Sequence, residues 1–264
     1  FKYPLGLHVV EGRVGVQEFD RLSLFSPTGV FEKTLSFDQR RSPACMDGVT
    51  GYFFVGPDNQ EQMVLARKNW SEKDFVVRCS YDQGGKRSPG VVIAGMEYPV
   101  VCSGGRLYAA LPMACTISCW DPTGKTVWET TIQGRVRKPV TREEKIARIG
   151  KKRWERLKAY QSNGRGAGEV LLESMPDEDP FYSHLCAMAD GRLLALEATQ
   201  DHHLEGDLFS ARGVYQYRCE LNLPEGSRLK GRPFIWKDRL LAPCENEDGD
   251  LQLASFRIRI PPSA

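Results

Sequence analysis

Ten residues, QDHHLEGDLF from Gln200 to Phe209, carry the densest set of chemistry-bearing side chains in the chain: Asp201, His202, His203, Glu205 and Asp207. Imidazole nitrogen and carboxylate oxygen are donors that zinc and related transition ions accept. On that chemistry His202, His203 and Asp207 are the candidate metal ligands. Two constraints weigh against them. Adjacent residues of a strand point to opposite faces, and neither His-x-His nor His-x-x-x-His occurs. A polar loop between strands accounts for the same composition. The remaining histidines, His8 and His184, fall beside strand-like runs and fit hydrogen-bonded core or tunnel positions.

Other chemistries find less support. ENEDGDL (Glu245 to Leu251) has neither the ligand order of a calcium loop nor its distal Glu, and its Asp248-Gly249 reads as a hairpin turn. No Gly-x-Ser-x-Gly elbow occurs. Ser103-Gly104-Gly105 is explained by its turn position, and no Gly-rich loop opens a helix to cradle phosphate. No residue qualifies as catalytic and no cofactor is implied, so the residues weigh against an enzyme.

Charge supplies a second candidate. Residues 135–165 hold twelve Lys or Arg against three Glu, a local charge of +9 that leaves −7 on the rest of a chain whose total is +2. Such asymmetry suits docking to an acidic protein surface or peripheral contact with anionic lipid. The candidate contact residues are Arg148, Lys151, Lys152, Arg153, Arg156 and an aromatic anchor, Trp154. Nucleic acid fits poorly, because few aromatics interleave the basic residues and no recognition module is present. The competing reading is a solvated helix face. The acidic linker MPDEDP (Met175 to Pro180) could pair with it and make the asymmetry purely structural.

The elements around these residues repeat. FSPTGVFEKTLSF (from Phe25), WDPTGKTVWETTI (from Trp120) and FSARGVYQYRCEL (from Phe209) share a strand end, a four-residue turn closing on Gly, and an alternating strand. YDQGGK from Tyr81 is a weaker copy. Gly29, Gly124 and Gly213 occupy the position where positive φ is tolerated, and Pro27 and Pro122 pre-set the leading corner. A second motif, strand–turn–strand, precedes each turn: HVVEGRVGV, VCSGGRLYAAL and CAMADGRLLAL. The two glycines stand 17, 19 and 22 residues apart in the three copies. Each unit is an antiparallel meander of about 40 residues, the dimension of a β-propeller blade. A β-sandwich has no reason to repeat one turn chemistry at one offset.

Five units are visible, near 1–40, 41–95, 96–134, 181–227 and 228–260. FKYPLGLHVVEGRVGVQEFDRLSLFSPTG resembles the bacterial six-bladed propellers related to NHL repeats, in which F-x-x-P leads into a strand, a D/E-G turn and an F-S-x-x-G turn. MPDEDPFYSHLCAMADGRLLALEA, with the following LFSARGVYQYRCELNLPEG, is similar to that family's penultimate blade. The resemblance implies six blades, with blade material upstream of Phe1, an extracytoplasmic bacterial setting such as the periplasm or cell envelope, and protein or ligand binding more often than catalysis.

Residues 135–180 interrupt the repeat. Thr141 and Glu144 form a capping box, and Ile146, Ile149, Leu157 and Tyr160 recur at helical spacing with Trp154 beside them. A helix over 141–160 is expected, ended by QSNGRGAG. Hydrophobic residues at 41% and charged residues at 27% are ordinary for a globular chain, and no apolar run approaches a membrane span. Residues 1–10 lack a signal-peptide pattern. The eight cysteines include no Cys-x-x-Cys and lie mostly in apolar strand runs, so buried thiols are expected rather than a disulfide framework. The sequence therefore points to one all-β propeller domain over 1–264 with a basic helical insertion at 135–180. Its expected role is a non-catalytic scaffold, an accessory subunit of a larger assembly; the alternative is an enzyme or a small-ligand or metal binder using the central tunnel.

Overall fold

A computed structural model describes residues 6–10, 13–18, 21–36, 45–47, 50–55, 63–69, 76–81, 99–110, 115–162, 165–175, 177–197 and 203–259. Four regular four-stranded antiparallel blades form. Blade 1 is β1–β4 (Gly6–Val10, Arg13–Gln17, Arg21–Phe25, Phe31–Ser36), and blade 2 is β5–β8 (Cys45–Asp47, Thr50–Val55, Met63–Asn69, Val76–Tyr81). Blade 3 is β9–β12 (Val100–Ser103, Arg106–Ala110, Thr116–Trp120, Thr126–Thr131). The helices α1 (Arg142–Ile149), α2 (Lys151–Ala159) and α3 (Ala167–Ser174) follow, with a small hairpin, β13 (Gln161–Ser162) and β14 (Arg165–Gly166), between α2 and α3. Blade 4 is β15–β18 (His184–Ala187, Leu193–Leu196, His203–Phe209, Tyr215–Asn222).

The fifth sequence unit departs from this plan. Its inner position is split between β19 (Arg228–Leu229) and β20 (Phe234–Trp236), which pair with the same edge of β21 (Arg239–Glu245), while β22 (Leu251–Arg257) takes the other edge. Pro233 lies in the break and has no N–H for a ladder. Among the described residues the structure thus shows four regular blades rather than the six favoured from the resemblance, and the fifth unit is an irregular sheet.

The repeated phrase is a repeated hairpin. In blades 1, 3 and 4 the Gly N–H donates to a carbonyl three residues back, Gly29 to Ser26 (2.9 Å), Gly124 to Asp121 (3.0 Å) and Gly213 to Ser210 (2.9 Å). Those glycines have φ of 84°, 85° and 78°, where a Cβ would clash with its own backbone. A register shift precedes each turn, at Leu24/Phe25, Cys119/Trp120 and Leu208/Phe209. The first turn residue adds a side-chain acceptor: Ser26 Oγ takes the Val30 N–H (3.1 Å), Asp121 Oδ1 the Thr123 and Lys125 N–H groups (2.8 and 3.1 Å), and Ser210 Oγ the Val214 N–H (3.1 Å). The weaker copy from Tyr81 lies, beyond Tyr81, outside the described residues.

Blade 4 buries both faces, which is why its inner strands read as continuous apolar runs rather than alternations. In blade 4, Leu185, Leu193, Ala195 and Phe209 pack against Tyr108, Ile117, Cys119 and Trp128 of blade 3. Their neighbours Cys186, Leu194, Leu196 and Leu208 face the fifth sheet through Leu240, Ile235 and Phe256. The outer strand β18 alternates between exposed and half-buried residues, so polar residues return there. Six described cysteines are free thiols, four of them buried.

The insertion is a closed excursion. Its two ends run antiparallel: Val140 N donates to Asp177 O and Asp179 N to Lys138 O, both at 2.8 Å, around a Pro139–Glu178 bridge. The Thr141–Glu144 capping box forms as expected. The expected single helix does not, because Gly150 at φ 84° separates α1 from α2. α3, unforeseen in the sequence, packs on the pair. A Cβ at Gly168 of α3 would stand 2.7 Å from the Trp154 ring, so glycine permits the close approach. Trp154 is 6% exposed and packs with Leu172, Met175, Ile146 and Ile149. It is the core of the insertion, not an exposed anchor.

Candidate functional site

In an antiparallel meander, the starts of the first and third strands and the ends of the second and fourth lie at one edge. Tyr182 precedes β15, Glu197 follows β16, His203 opens β17 and Asn222 closes β18. Cys115 immediately precedes β11, and Arg135 follows β12 where the insertion departs. All six therefore gather on one end of blades 3 and 4, beneath the root of the insertion.

Asp207 is the hub. It is completely buried, yet it is a carboxylate in a strand whose neighbours Gly206, Leu208 and Phe209 are core. Burial of a charge is tolerated only with partners. Arg135 provides two contacts, Nη2 donating to Oδ1 at 2.6 Å and Nη1 lying 2.5 Å from Oδ2. The buried Tyr182 hydroxyl donates to Oδ2 at 2.7 Å, and the Cys115 thiol donates in turn to the Tyr182 oxygen at 3.4 Å. Burial, together with the bonds to Cys115 and Asp207, pushes the Tyr182 phenol far above its ordinary range, so it stays protonated and donating. Burial acts against the Arg135 charge, but the Asp207 carboxylate outweighs it and the guanidinium pKa rises.

The network continues outward. Arg135 Nη1 and Arg218 Nη1 both donate to Glu197 Oε1 at 2.8 Å. Arg218, opposite Asp207 on β18, also binds Glu205 Oε2. Glu197 and Glu205 together hold the Arg218 pKa above its ordinary value. Burial tends to raise the Glu205 pKa, but the Arg218 contacts outweigh it and leave the carboxyl below its usual range. Beyond Glu205, His203 Nδ1 lies 2.9 Å from Asn222 Oδ1, and its Nε2 stands 3.5 Å from Glu205 Oε1 and 4.0 Å from Glu220 Oε2.

Of the sequence-nominated metal set, His202 lies outside the described residues. His203 and Asp207 share a strand face, but Asp207 is engaged by Arg135 and Tyr182, and the carboxylates beside His203 are Glu205 and Glu220. Sequence reasoning missed Arg135, Tyr182, Glu197, Arg218, Glu220 and Asn222. The available signal was a buried-type strand carrying acids at Glu205 and Asp207, which demands cations from elsewhere.

The basic set divides in two. Arg137 binds Glu178, Lys145 binds Asp177 at 2.6 Å, and Arg148 binds Asp179 at 2.6 Å. The acidic linker thus neutralises the inward side of the insertion. Arg142 pairs with Glu169 and Lys158 with Glu155. Lys152, Arg153 and Arg156 on α2 are exposed, and no ion pair or side-chain hydrogen bond engages them among the described residues. Lys151 opens the same helix. Tyr160, just past its end, is 69% exposed.

No family model and no curated protein matches the chain. Its fold is similar to that of a DUF4221-family member from Bacteroides vulgatus, with a TM-score of 0.52 and 10% identity over 93% of this chain and 76% of that one. A chain of a nidogen/laminin complex shows a TM-score of 0.47 and 12% identity over 96% of this chain and 80% of that one. Streptogramin B lyase shows 0.39 and 13% over 97% and 68%. The similarity is to β-propeller architecture alone. Among the described residues, no helix is long and apolar enough to cross a membrane.

Proposed function

We propose that the chain is a non-catalytic interaction scaffold, an accessory subunit that docks an acidic protein surface on the exposed side of α2. One observation carries the reading. The insertion satisfies its inward cations with the 177–179 acids and with the blade 4 network, and leaves Lys152, Arg153 and Arg156 in solvent within one helical turn of each other. Residues 152 and 156, and 153 and 156, are neighbours on a helix surface. Three aligned cations raise local potential and steer an acidic partner. Arg148 ties α1 to the acidic linker through Asp179, and Trp154 fixes the orientation of α2 through the core of the insertion. An extracytoplasmic bacterial setting belongs to the same reading and rests on the family resemblance.

The test is native purification at about 50 mM salt, where screening is weak, with co-purifying chains identified by mass spectrometry. It is repeated with Lys152→Glu, Arg153→Glu and Arg156→Glu combined. An acidic partner should be retained by the parent and lose roughly 10–100-fold in affinity with the triple variant. A partner retained unchanged by the variant overturns the docking site. Binding to anionic vesicles in place of a protein overturns the partner class.

A further inference from the structure

We propose that His203, Glu205 and Glu220 form a binding site for one divalent transition-metal ion of the zinc type, at the outer edge of blade 4. The site is independent of the docking surface on α2.

Placement comes first. Glu205 of β17 and Glu220 of β18 stand directly opposite each other in the ladder, and His203 stands opposite Asn222. Like charges facing across a strand pair destabilise it, so two opposed carboxylates ask for a cation between them. Arg218 partly meets that demand, but it approaches Glu205 through Oε2 and leaves Oε1 turned to His203. Glu220 has no Lys or Arg partner among the described residues and is 67% exposed.

The donor atoms then converge. The imidazole nitrogen and the two carboxylate oxygens all lie within 4.8 Å of one another. Around a tetrahedral zinc ion with bonds near ~2.1 Å, ligand atoms sit about 3.4 Å apart. The 3.5 Å separation of His203 Nε2 from Glu205 Oε1 already matches. Closing the 4.0 Å separation from Glu220 needs a small rotation of an exposed side chain.

Orientation is set by a second interaction. With Nδ1–H donated to Asn222 Oδ1 at 2.9 Å, the imidazole lone pair rests on Nε2, facing both carboxylates. An amide or carboxylate holding the distal N–H is the usual support of a metal-bound histidine. One imidazole and two carboxylates suit zinc or manganese better than magnesium or calcium, which prefer all-oxygen sets. Three protein ligands leave a coordination position for water or a small anion.

The experiment is calorimetric titration of ZnCl2 into the full chain at pH 7.5, after chelator treatment and with a non-chelating reductant present. One equivalent should bind. His203→Ala and Glu220→Gln should each weaken it more than roughly 100-fold, and Asn222→Ala about 10-fold, as a lost supporting contact does. The exposure of Glu220 makes Glu220→Gln informative whatever the folding of the histidine variant. No equivalent bound at about 100 μM zinc overturns the proposal. Stoichiometric binding unchanged by either ligand variant overturns it equally.

Discussion

Gly213 shows how one residue can serve two geometries at once. Its φ of 78° closes the blade 4 hairpin, and a Cβ there would stand 2.5 Å from the Trp128 ring of blade 3. Thr130 of blade 3 also donates to the Gly213 carbonyl at 2.5 Å. Gly29 has the same backbone conformation, at φ 84°, with nothing within 4 Å. Gly29→Ala should therefore cost about 1 kcal/mol, the price of the left-handed backbone alone. Gly213→Ala should cost about 2–4 kcal/mol, because overpacking adds to it. Urea unfolding followed by tryptophan fluorescence measures both, and equal midpoints for the two variants would show that the Trp128 contact contributes nothing. The turn requirement of Gly213 is legible in the sequence. Its contact with Trp128 is not, since the two residues meet only when blades 3 and 4 pack.

At the scale of elements, the helical insertion is held at its root by Arg135, whose contacts reach Glu197 and Asp207 in blade 4. Removing one partner of a buried pair leaves the other uncompensated. Asp207→Asn should cost about 2–4 kcal/mol, at the lower end of that effect because Arg135 keeps 21% exposure. Arg135→Met should loosen the insertion itself. Hydrogen exchange should then quicken at the Val140 and Asp179 amides, whose bonds close the stem, while β16 amides keep their protection. Unchanged exchange at the stem would mean that the insertion is held by its apolar core alone. The capping box at Thr141 and the apolar spacing of α1 were readable locally. The break at Gly150 and the burial of Trp154 were not, because α3 and its Gly168 decide which side of α2 is inside.

At the scale of the whole molecule, the seams from blade 3 through blade 4 to the fifth sheet are lined by thiols. Burial pushes Cys119 up to about 11 and Cys186 up to about 12, and it raises Cys115, Cys219 and Cys244 as well. In the unfolded chain these thiols ionise near 8.5–9. The folded state thus keeps protons that the unfolded state releases. Their contribution is fully present below pH ~9 and is lost as pH rises through the folded values. Unfolding free energy should fall by roughly 1–3 kcal/mol per pH unit between about pH 9 and 11, at up to 1.4 kcal/mol per unit for each thiol. Denaturant titrations across that range, with Cys186→Ser expected to flatten the slope, check it. A stability that stays level to pH 11 would contradict burial of the thiols in the seams.

The sequence by itself determined the blade unit: a positive-φ glycine, a hydrogen-bonding first turn residue and apolar strand runs act over four to ten neighbours, so short-range sterics and hydrogen bonding suffice. It also showed where the pattern stops, at the basic insertion. Only the tertiary structure decided what the charged residues do. Arg135 meets Glu197 and Asp207 across 62 and 72 positions, and the linker acids consume cations that sequence alone left open. Blade count follows the same logic. Repeats predict units, but whether Pro233 splits an inner strand, and how many regular sheets form, depends on pairing between segments that no local signal specifies. His203 is the clearest case: its neighbours along the chain suggested Asp207, and the strand ladder brought Glu205 and Glu220 instead.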